Sequence, residues 1–206
     1  SLNITQRVLN SSGSKTYDAN TNALAGAITL SNLVSGETLN HSGTASVSSA
    51  NAGSYTISNL SGISIADNAG TASNYTLTGG THNFTVNQRP LVATLARQYD
   101  GTTTSAGSTL SSFDALQGGE TLTMTGSGTA ASANVANGIA MSSNGNLALV
   151  NGTGDVSNYS LNSTVINITQ RILNSSGSKT YDANTNALAG AITLSNLVSG
   201  ETLNKS

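Results

Sequence analysis

The sequence predicts an all-β protein made of tandem small modules, and three observations support this prediction. Apolar and polar residues alternate over short segments, as in β-strands. Steps rich in Asn and Gly separate these segments, as turns do. Residues 1–42 also return as residues 165–206 with 38 of 42 positions identical. A long internal repeat of this kind is typical of a protein that builds length.

A weaker repeat of about 82 residues divides the long one. The pair Gln-Arg ends at Arg7, Arg89 and Arg171, and the pair Tyr-Asp ends at Asp18, Asp100 and Asp182. We therefore divide the chain into the end strand of a preceding module (1–7), module 1 (8–89), module 2 (90–171) and an incomplete third copy (172–206).

Each junction between modules contains a pair of alternating apolar residues, which predicts a strand with one buried face. The pairs are Leu2 and Ile4, Phe84 and Val86, and Ile166 and Ile168. Further predicted strands are Thr44–Ser48, Ser54–Ile57, Ile63–Ala66, Tyr75–Thr78, Thr121–Thr125 and Asn146–Val150. A helical turn is expected only at Ser112–Gln117 and Asn20–Ala25.

These elements favour compact antiparallel modules, either sandwich or β-grasp-like, that stack end to end as a rod. The junctions 2–9, 83–93 and 166–173 contain no glycine, unlike a flexible linker. A β-solenoid is the alternative architecture, but no short coil of about 20–30 residues repeats.

Composition excludes several classes of function. Charged residues make up 8% of the chain and the net charge is −2, which leaves too few cations for a nucleic-acid surface. The chain has no cysteine and therefore no disulfide or thiolate metal site. No stretch reaches the ~20 apolar residues of a membrane-spanning helix.

The arginines at the junctions predict an inter-module contact. We expect Arg7, Arg89 and Arg171 to pair across the junction with the aspartates of the Tyr-Asp pairs, Asp18, Asp100 and Asp182. A solvated arginine on an edge strand is the alternative, because an exposed ion pair contributes only ~0–1 kcal/mol.

The Tyr-Asp segments carry a family resemblance. Lys15–Ala19, Arg97–Gly101 and Lys179–Ala183 resemble the K-x-Y-D-G-T-T signature of YDG/MBG-type repeats. The Gly-Glu-Thr steps at Gly36–Thr38 and Gly119–Thr121 and the late Asn-Tyr steps at Asn74 and Asn158 are similar to the same repeats. The resemblance implies a stalk module of a secreted bacterial exoprotein like filamentous haemagglutinin, without catalytic residues. Alanine in place of glycine at Ala19 and Ala183 argues against a positive φ there.

The residues do not favour an enzyme, and no cofactor is expected. His41 and His82 lie in polar segments and are expected at the surface, and Lys205 replaces His41 in the third copy. Asp18, Asn20 and Asn22 have the spacing with which a calcium loop begins, but no glutamate follows at its twelfth position. An Asx-type turn is the default for this segment.

The recurring tyrosines are expected in core or junction packing, with sugar binding as the alternative. Lys15 could suggest an isopeptide cross-link, but Arg97 takes its place in module 2. Asn-x-Ser/Thr sequons are frequent, and glycosylation stays a hypothesis. The main candidates are Asn3, Asn59, Asn74, Asn83, Asn158 and Asn167.

The expected function is structural: a stalk or filament segment of a bacterial cell-surface adhesin or extracellular fibre, at an extracellular location. Two alternatives are a self-assembling fibre subunit completed by strand addition and a module that binds glycans or host proteins. The expected partners are neighbouring repeats or copies of the chain, with surface glycans or host proteins as the alternative. Neither nucleic acid nor membrane insertion is expected.

Overall fold

A computed structural model describes residues 1–205, and all of its regular structure is β-strand or short 3-10 turn. No α-helix occurs within these residues. The strands are β1 Arg7–Val8, β2 Asn10–Thr16, β3 Asn22–Leu24, β4 Ile28–Ser31, β5 Asn40–Val47, β6 Gly53–Asn59, β7 Ile63–Ala66, β8 Tyr75–Thr76, β9 His82–Asn87, β10 Arg89–Gln98, β11 Thr104–Ala106, β12 Leu110–Phe113, β13 Leu122–Thr125, β14 Ser127–Ala130, β15 Ala136–Ser143, β16 Ala148–Asn151, β17 Tyr159–Thr169, β18 Asn174–Gly177 and β19 Ile192–Ser195. The 3-10 turns are Ala25–Ala27, Ala72–Asn74, Gly107–Thr109, Val156–Asn158 and Ala189–Ala191.

The chain forms two compact units that do not coincide with the modules. Unit 1 comprises Ser1–Leu91, Ala115–Leu122 and Asn151–Asn162, so module 1 is packed with two short segments of module 2. Unit 2 comprises Val92–Asp114, Thr123–Val150 and Ser163–Ser206.

The main sheet of unit 1 has the order β3-β5-β6-β9-β2-β4, and β7 also pairs with β5. Most of its pairs are antiparallel, but β2 and β9 run parallel, with Ser11 opposite His82 and Thr16 opposite Asn87. The expected antiparallel pairing therefore holds for most of the sheet, but β2 and β9 are an exception. The last strand of module 1 returns beside its first long strand, and this parallel pair requires the long crossover through β3–β8.

The core of unit 1 depends on close backbone approach. Phe84 and Val86 on β9 are buried, as the alternation predicts. Phe84 lies against Gly13 of β2, where an added Cβ would approach the ring within 2.8 Å and the Ala27 carbonyl oxygen within 2.2 Å. A second cluster packs Leu9, Leu39 and Tyr75 together.

The main sheet of unit 2 has the order β11-β14-β15-β17-β10-β12. Ile166 and Ile168 of β17 are buried in it, and Ala93 and Leu95 of β10 are buried as well. The third copy forms one antiparallel hairpin, β18–β19. Its Tyr181 is 90% exposed, whereas Tyr17 of module 1 is buried.

Three expectations about local structure are wrong. Residues 1–6 form no strand, and Leu2 and Ile4 are exposed, because none of the described strands lies beside them as β6 lies beside β9. The segment Ser112–Gln117 is the end of β12 and a turn rather than a helix. In the segment Asn20–Ala25, residues 22–24 are strand, and a 3-10 turn begins only at Ala25.

Within residues 1–205 the structure has no helix with the length and apolar character that crossing a membrane requires.

The contact between Gly13 and Phe84 gives a test of the core. Gly13→Ala inserts a methyl group against backbone and ring and should destabilise module 1 by about 1–3 kcal/mol. Gly26→Ala is the matched control, since an added Cβ there has nothing within 4 Å. Urea unfolding followed by circular dichroism should show a lower midpoint for Gly13→Ala only. Equal midpoints for the two variants would contradict the packing.

Candidate functional site

The site is built on the turn that follows β2, where a lysine gathers the oxygens of the Tyr-Asp segment. Lys15 Nζ lies 2.7 Å from Asp18 Oδ1 and donates to Asn20 O at 2.6 Å and to Asn20 Oδ1 at 2.9 Å. The Asn20 amide donates to the Asp18 side chain, and the Asn22 amide donates to the Asn20 side chain. These two bonds form the predicted Asx turns. Ala19 is held at φ 61°. The expectation of no positive φ is wrong because Ala19, Ala183 and Gly101 all adopt it.

The same turn recurs in each copy, with a different cation in module 2. Arg97 pairs with Asp100 in module 2, and Lys179 pairs with Asp182 in the third copy. Burial opposes ionisation of Asp18, but hydrogen bonds from Lys15 and the Asn20 amide outweigh it and lower the pKa of Asp18. The predicted pairing of these aspartates with the junction arginines is wrong, because a cation three residues upstream binds each carboxylate.

The suggested calcium ligands already surround a tethered cation. The oxygens of Asp18 and Asn20 converge on the Lys15 ammonium. Within the described residues, no group of three or more His, Cys, Asp or Glu side chains could hold a metal ion. Their contacts with Lys15 and with the backbone amides shape the turn that follows Tyr17.

Tyr17 lies between the end of β2 and the Asx turn, and it contacts both modules. Its backbone amide donates to Asn87 O at 2.9 Å. Its ring is 3% exposed and meets the ring of Tyr159 edge to face, with the centroids 5.4 Å apart. Its hydroxyl donates to Glu120 Oε1 at 2.6 Å. Tyr17 belongs to module 1, whereas Glu120 and Tyr159 belong to module 2.

Glu120 accepts one hydrogen bond from a tyrosine of each module. The Tyr159 hydroxyl donates to its second oxygen, Oε2, at 2.5 Å, and the Gln117 amide donates to the same hydroxyl at 3.1 Å. The Glu120 side chain packs on Gly154, where an added Cβ would lie 2.9 Å from Oε2. Hydrogen bonds to an ionised acceptor are shorter and stronger than neutral ones. We call this contact of Tyr17, Glu120 and Tyr159 the seam.

The dipeptide Gln88-Arg89 forms the covalent part of the junction. Arg89 Nη1 donates to Tyr17 O at 3.2 Å, and Arg89 Nε donates to Ala115 O at 2.7 Å. Gln88 donates to Ser157 O at 3.1 Å. Arg89 therefore binds carbonyl oxygens of both modules.

Asn158 adds a further contact beside the seam. It is 2% exposed, accepts from the Ala52 amide at 2.8 Å and donates to Asn51 Oδ1 at 3.2 Å. Its candidacy as a glycosylation site is wrong, because a buried amide with both ends bonded cannot carry a sugar. Of the other candidates, Asn3, Asn59, Asn74 and Asn83 are exposed. Asn167 is half-buried and accepts from the Gly138 amide at 2.8 Å.

Two further glutamates, Glu37 and Glu201, each accept a hydrogen bond from one tyrosine instead of two. In module 1 the Tyr75 hydroxyl donates to Glu37 Oε2 and accepts from the Val34 amide. In unit 2 the Tyr99 hydroxyl donates to Glu201 Oε1. Arg7 and Arg171 bind the carbonyl and side-chain oxygens of their own Asn32 and Asn196.

The seam suppresses ionisation of its phenols. Burial raises the pKa of Tyr17 and of Tyr159, and the hydrogen bond of each to Glu120 raises it further. The hydrogen bond to Glu37 is the main cause that raises the pKa of Tyr75, and Glu201 acts in the same way on Tyr99. The phenols therefore stay protonated, and remain donors, to a higher pH than an ordinary tyrosine.

The histidines are structural. His41 bonds with Ala25 O and Ile28 O, and Lys205 donates to Ile192 O in the third copy. His82 is buried rather than at the surface as expected, because β9 places it between Ser11 and Leu77 O. Both ring nitrogens of His82 lie within hydrogen-bond distance of these partners.

Sequence reasoning missed Glu120 as the centre of the site. The sequence did contain a signal for it. The chain has three glutamates, and each occupies the same place in its copy: Glu37, Glu120 and Glu201. The tyrosines were expected in core or junction packing, and Tyr17 and Tyr159 meet at the seam.

The family model of the YDG domain matches the chain twice, at residues 2–83 and 85–166. These matches begin a few residues before the module boundaries that the sequence repeat predicts. No curated protein and no solved structure matches the chain.

Removing one hydroxyl should weaken the seam. Tyr17→Phe leaves Glu120 with one phenol donor and should lower the free energy of unfolding by about 1–2 kcal/mol. Tyr181→Phe is the matched control, because Tyr181 occupies the same motif but is 90% exposed. Urea unfolding should separate the two variants. Equal losses would show that the bond to Glu120 does not stabilise the fold.

The raised pKa values predict a loss of stability at high pH. Stability from a raised tyrosine pKa is fully present below the ordinary value of 10.0 and is lost as pH rises through the folded-state pKa. Each such tyrosine contributes up to about 1.4 kcal/mol per pH unit in that range. Urea unfolding at a series of pH values above 10.0 should show a shallower decline for Tyr17→Phe than for the wild type. Parallel declines would contradict a role for Tyr17.

Proposed function

The chain belongs to the YDG-domain family, and from this premise we propose that it is a structural segment of a long bacterial cell-surface adhesin or extracellular fibre. In this role each module adds length, and the seam ties one module to the next. The chain would lie outside the cell, with neighbouring repeats as its partners.

Repetition of one contact is the observation that most supports this proposal. The bond between a tyrosine and a glutamate occurs in full as Tyr17, Glu120 and Tyr159, and in part at Glu37 and Glu201. An active site needs a particular constellation once, whereas a repeated bond between repeats suits an array whose stability comes from neighbouring interfaces.

The junction itself supports stiffness. Strands β9 and β10 are separated by Gln88 alone, and the side chains of Gln88 and Arg89 are both bonded to backbone oxygens of module 2. Fixing both sides of the linking residue removes the freedom that a Gly/Ser linker would have.

Nitrogen relaxation measured by NMR on the purified chain tests the mechanical part. Amides of module 1 and module 2 should report one common tumbling time in the wild type. The double variant Tyr17→Phe/Arg89→Ala should give shorter and separate times, and Tyr181→Phe should behave like the wild type. Independent tumbling of the wild-type modules would refute a stiff stalk.

The location has its own test. Antibodies against the chain should label intact producing cells, and protease added outside should remove the label. Labelling only after permeabilisation would refute an extracellular segment. Saturable binding of the chain to a glycan array, lost on mutation of exposed side chains, would instead favour the adhesive module.

A further inference from the structure

Module 2 contains all three Asn-Gly dipeptides of the chain: Asn137-Gly138, Asn144-Gly145 and Asn151-Gly152. Asparagine is a chemically labile residue. A glycine after it increases this lability, because no side chain shields the glycine nitrogen. That nitrogen can attack the Cγ carbon of the asparagine and expel ammonia. All three asparagines are exposed, so exposure alone does not distinguish them.

Hydrogen bonds hold the first and the third dipeptide in place. Asn137 and Gly138 lie within β15, and the Gly138 amide donates to Asn167 Oδ1 at 2.8 Å. Asn151 lies at the end of β16, and its Oδ1 accepts from the Val156 amide at 2.8 Å. In the first dipeptide the attacking nitrogen is therefore occupied, and in the third the side chain that would be attacked is fixed.

The second dipeptide is held less firmly. Asn144 and Gly145 lie in the turn between β15 and β16, which the Leu147 amide closes by donating to Asn144 O at 2.9 Å. Across residues 1–205, the Asn144 side chain has no hydrogen-bond partner. The Gly145 amide donates to the hydroxyl of the exposed Ser143 at 3.1 Å. Because glycine changes its backbone angles at little cost, the Gly145 nitrogen can approach the Asn144 side chain.

We propose that Asn144 is a site of spontaneous deamidation, with water as the co-reactant. The Gly145 nitrogen loses its proton to a base in the solvent and bonds to Asn144 Cγ, and the Cγ–Nδ2 bond breaks to release ammonia. Water then opens the cyclic imide at either carbonyl, which gives aspartate or isoaspartate. Nothing is oxidised or reduced, and the chain gains a negative charge. The inference goes beyond the structural role proposed above and does not depend on it.

The modification would occur where the turn is tied to β14. The Asn146 amide donates to Ser127 O at 3.1 Å, and Asn146 Oδ1 accepts from the Ser127 amide at 2.7 Å. The Gly145 backbone also approaches β14 closely, since an added Cβ would lie 2.4 Å from Ser127 O. Isoaspartate at Asn144 lengthens the backbone of the turn by a carbon atom, so these contacts should loosen. Module 1 and the third copy contain no Asn-Gly dipeptide, so module 2 should age first.

Peptide mapping of the full chain tests the site. The chain is aged in warm, mildly alkaline buffer, and electron-transfer fragmentation distinguishes isoaspartate from aspartate at each position. In the folded chain Asn144 should deamidate at least about fivefold faster than Asn137 or Asn151, because a hydrogen bond protects each of those two. In urea, which removes the fold, the three asparagines should react at similar rates.

Hydrogen exchange on the same samples tests the consequence. The Ser127 and Asn146 amides should exchange faster in the aged wild type than in the fresh chain. The Tyr17 amide at the seam should exchange at an unchanged rate. Asn144→Gln is the matched control, because it keeps the amide group but would need a larger ring that forms more slowly. Its exchange rates should not change with age.

Three results would count against the proposal. Asn137 or Asn151 could deamidate in the folded chain as fast as Asn144, which would show that the fold does not select the site. Exchange at Ser127 and Asn146 could rise equally in aged Asn144→Gln, which would place the damage at another residue. Unchanged exchange after Asn144 has deamidated would refute the loosening of the turn. Each result leaves the stalk proposal to its own test by relaxation.

Discussion

A carboxylate shared by two tyrosines of different modules is the interaction on which the rest of the structure depends. Glu120 is half-buried, and its two oxygens accept from Tyr17 and Tyr159. A desolvated carboxylate with one oxygen unsatisfied would cost free energy. Module 2 therefore gains a fully bonded acid only when module 1 supplies its tyrosine. The contact is polar and directional, so it requires the two tyrosines to approach the carboxylate in a particular geometry.

The turn that follows Tyr17 fixes the backbone on one side of that tyrosine. Lys15 gathers oxygens of Asp18 and Asn20 and holds Ala19 at a positive φ, where an L-residue is strained by roughly 1–2 kcal/mol. Three charge-assisted contacts on one ammonium offset that strain. Arg97 does the same in module 2 with Asp100 and the Thr102 carbonyl, although there the residue at positive φ is a glycine. The cation therefore differs between the two modules, whereas the tyrosine beside the turn donates to a glutamate in both.

Much of the fold follows from local sequence, and the site does not. Alternation places Phe84, Val86, Ile166 and Ile168 on buried strand faces because a period of two is a local property. The parallel pairing of β2 with β9 is nonlocal, and alternation contains no information about it. The same limit applies to Arg89. Its charge suggested an aspartate, but the carbonyls of Tyr17 and Ala115 lie nearer once the chain folds. The sequon at Asn158 gives no local sign of burial, because the residues that bond with its side chain, Asn51 and Ala52, belong to another module.

The seam and the contact of Tyr99 with Glu201 share the bond between tyrosine and glutamate. They differ in the residues beside that bond. Where Tyr99 meets Glu201, Gly101 faces Val198, and a Cβ on Gly101 would lie only 3.0 Å from the valine. At the corresponding places of the seam stand Ala19 and Gln117. An alanine in place of Gly101 would crowd the branched valine. The neighbouring pair is therefore the part of the contact that changes between the two places, while the bond between tyrosine and glutamate is common to both.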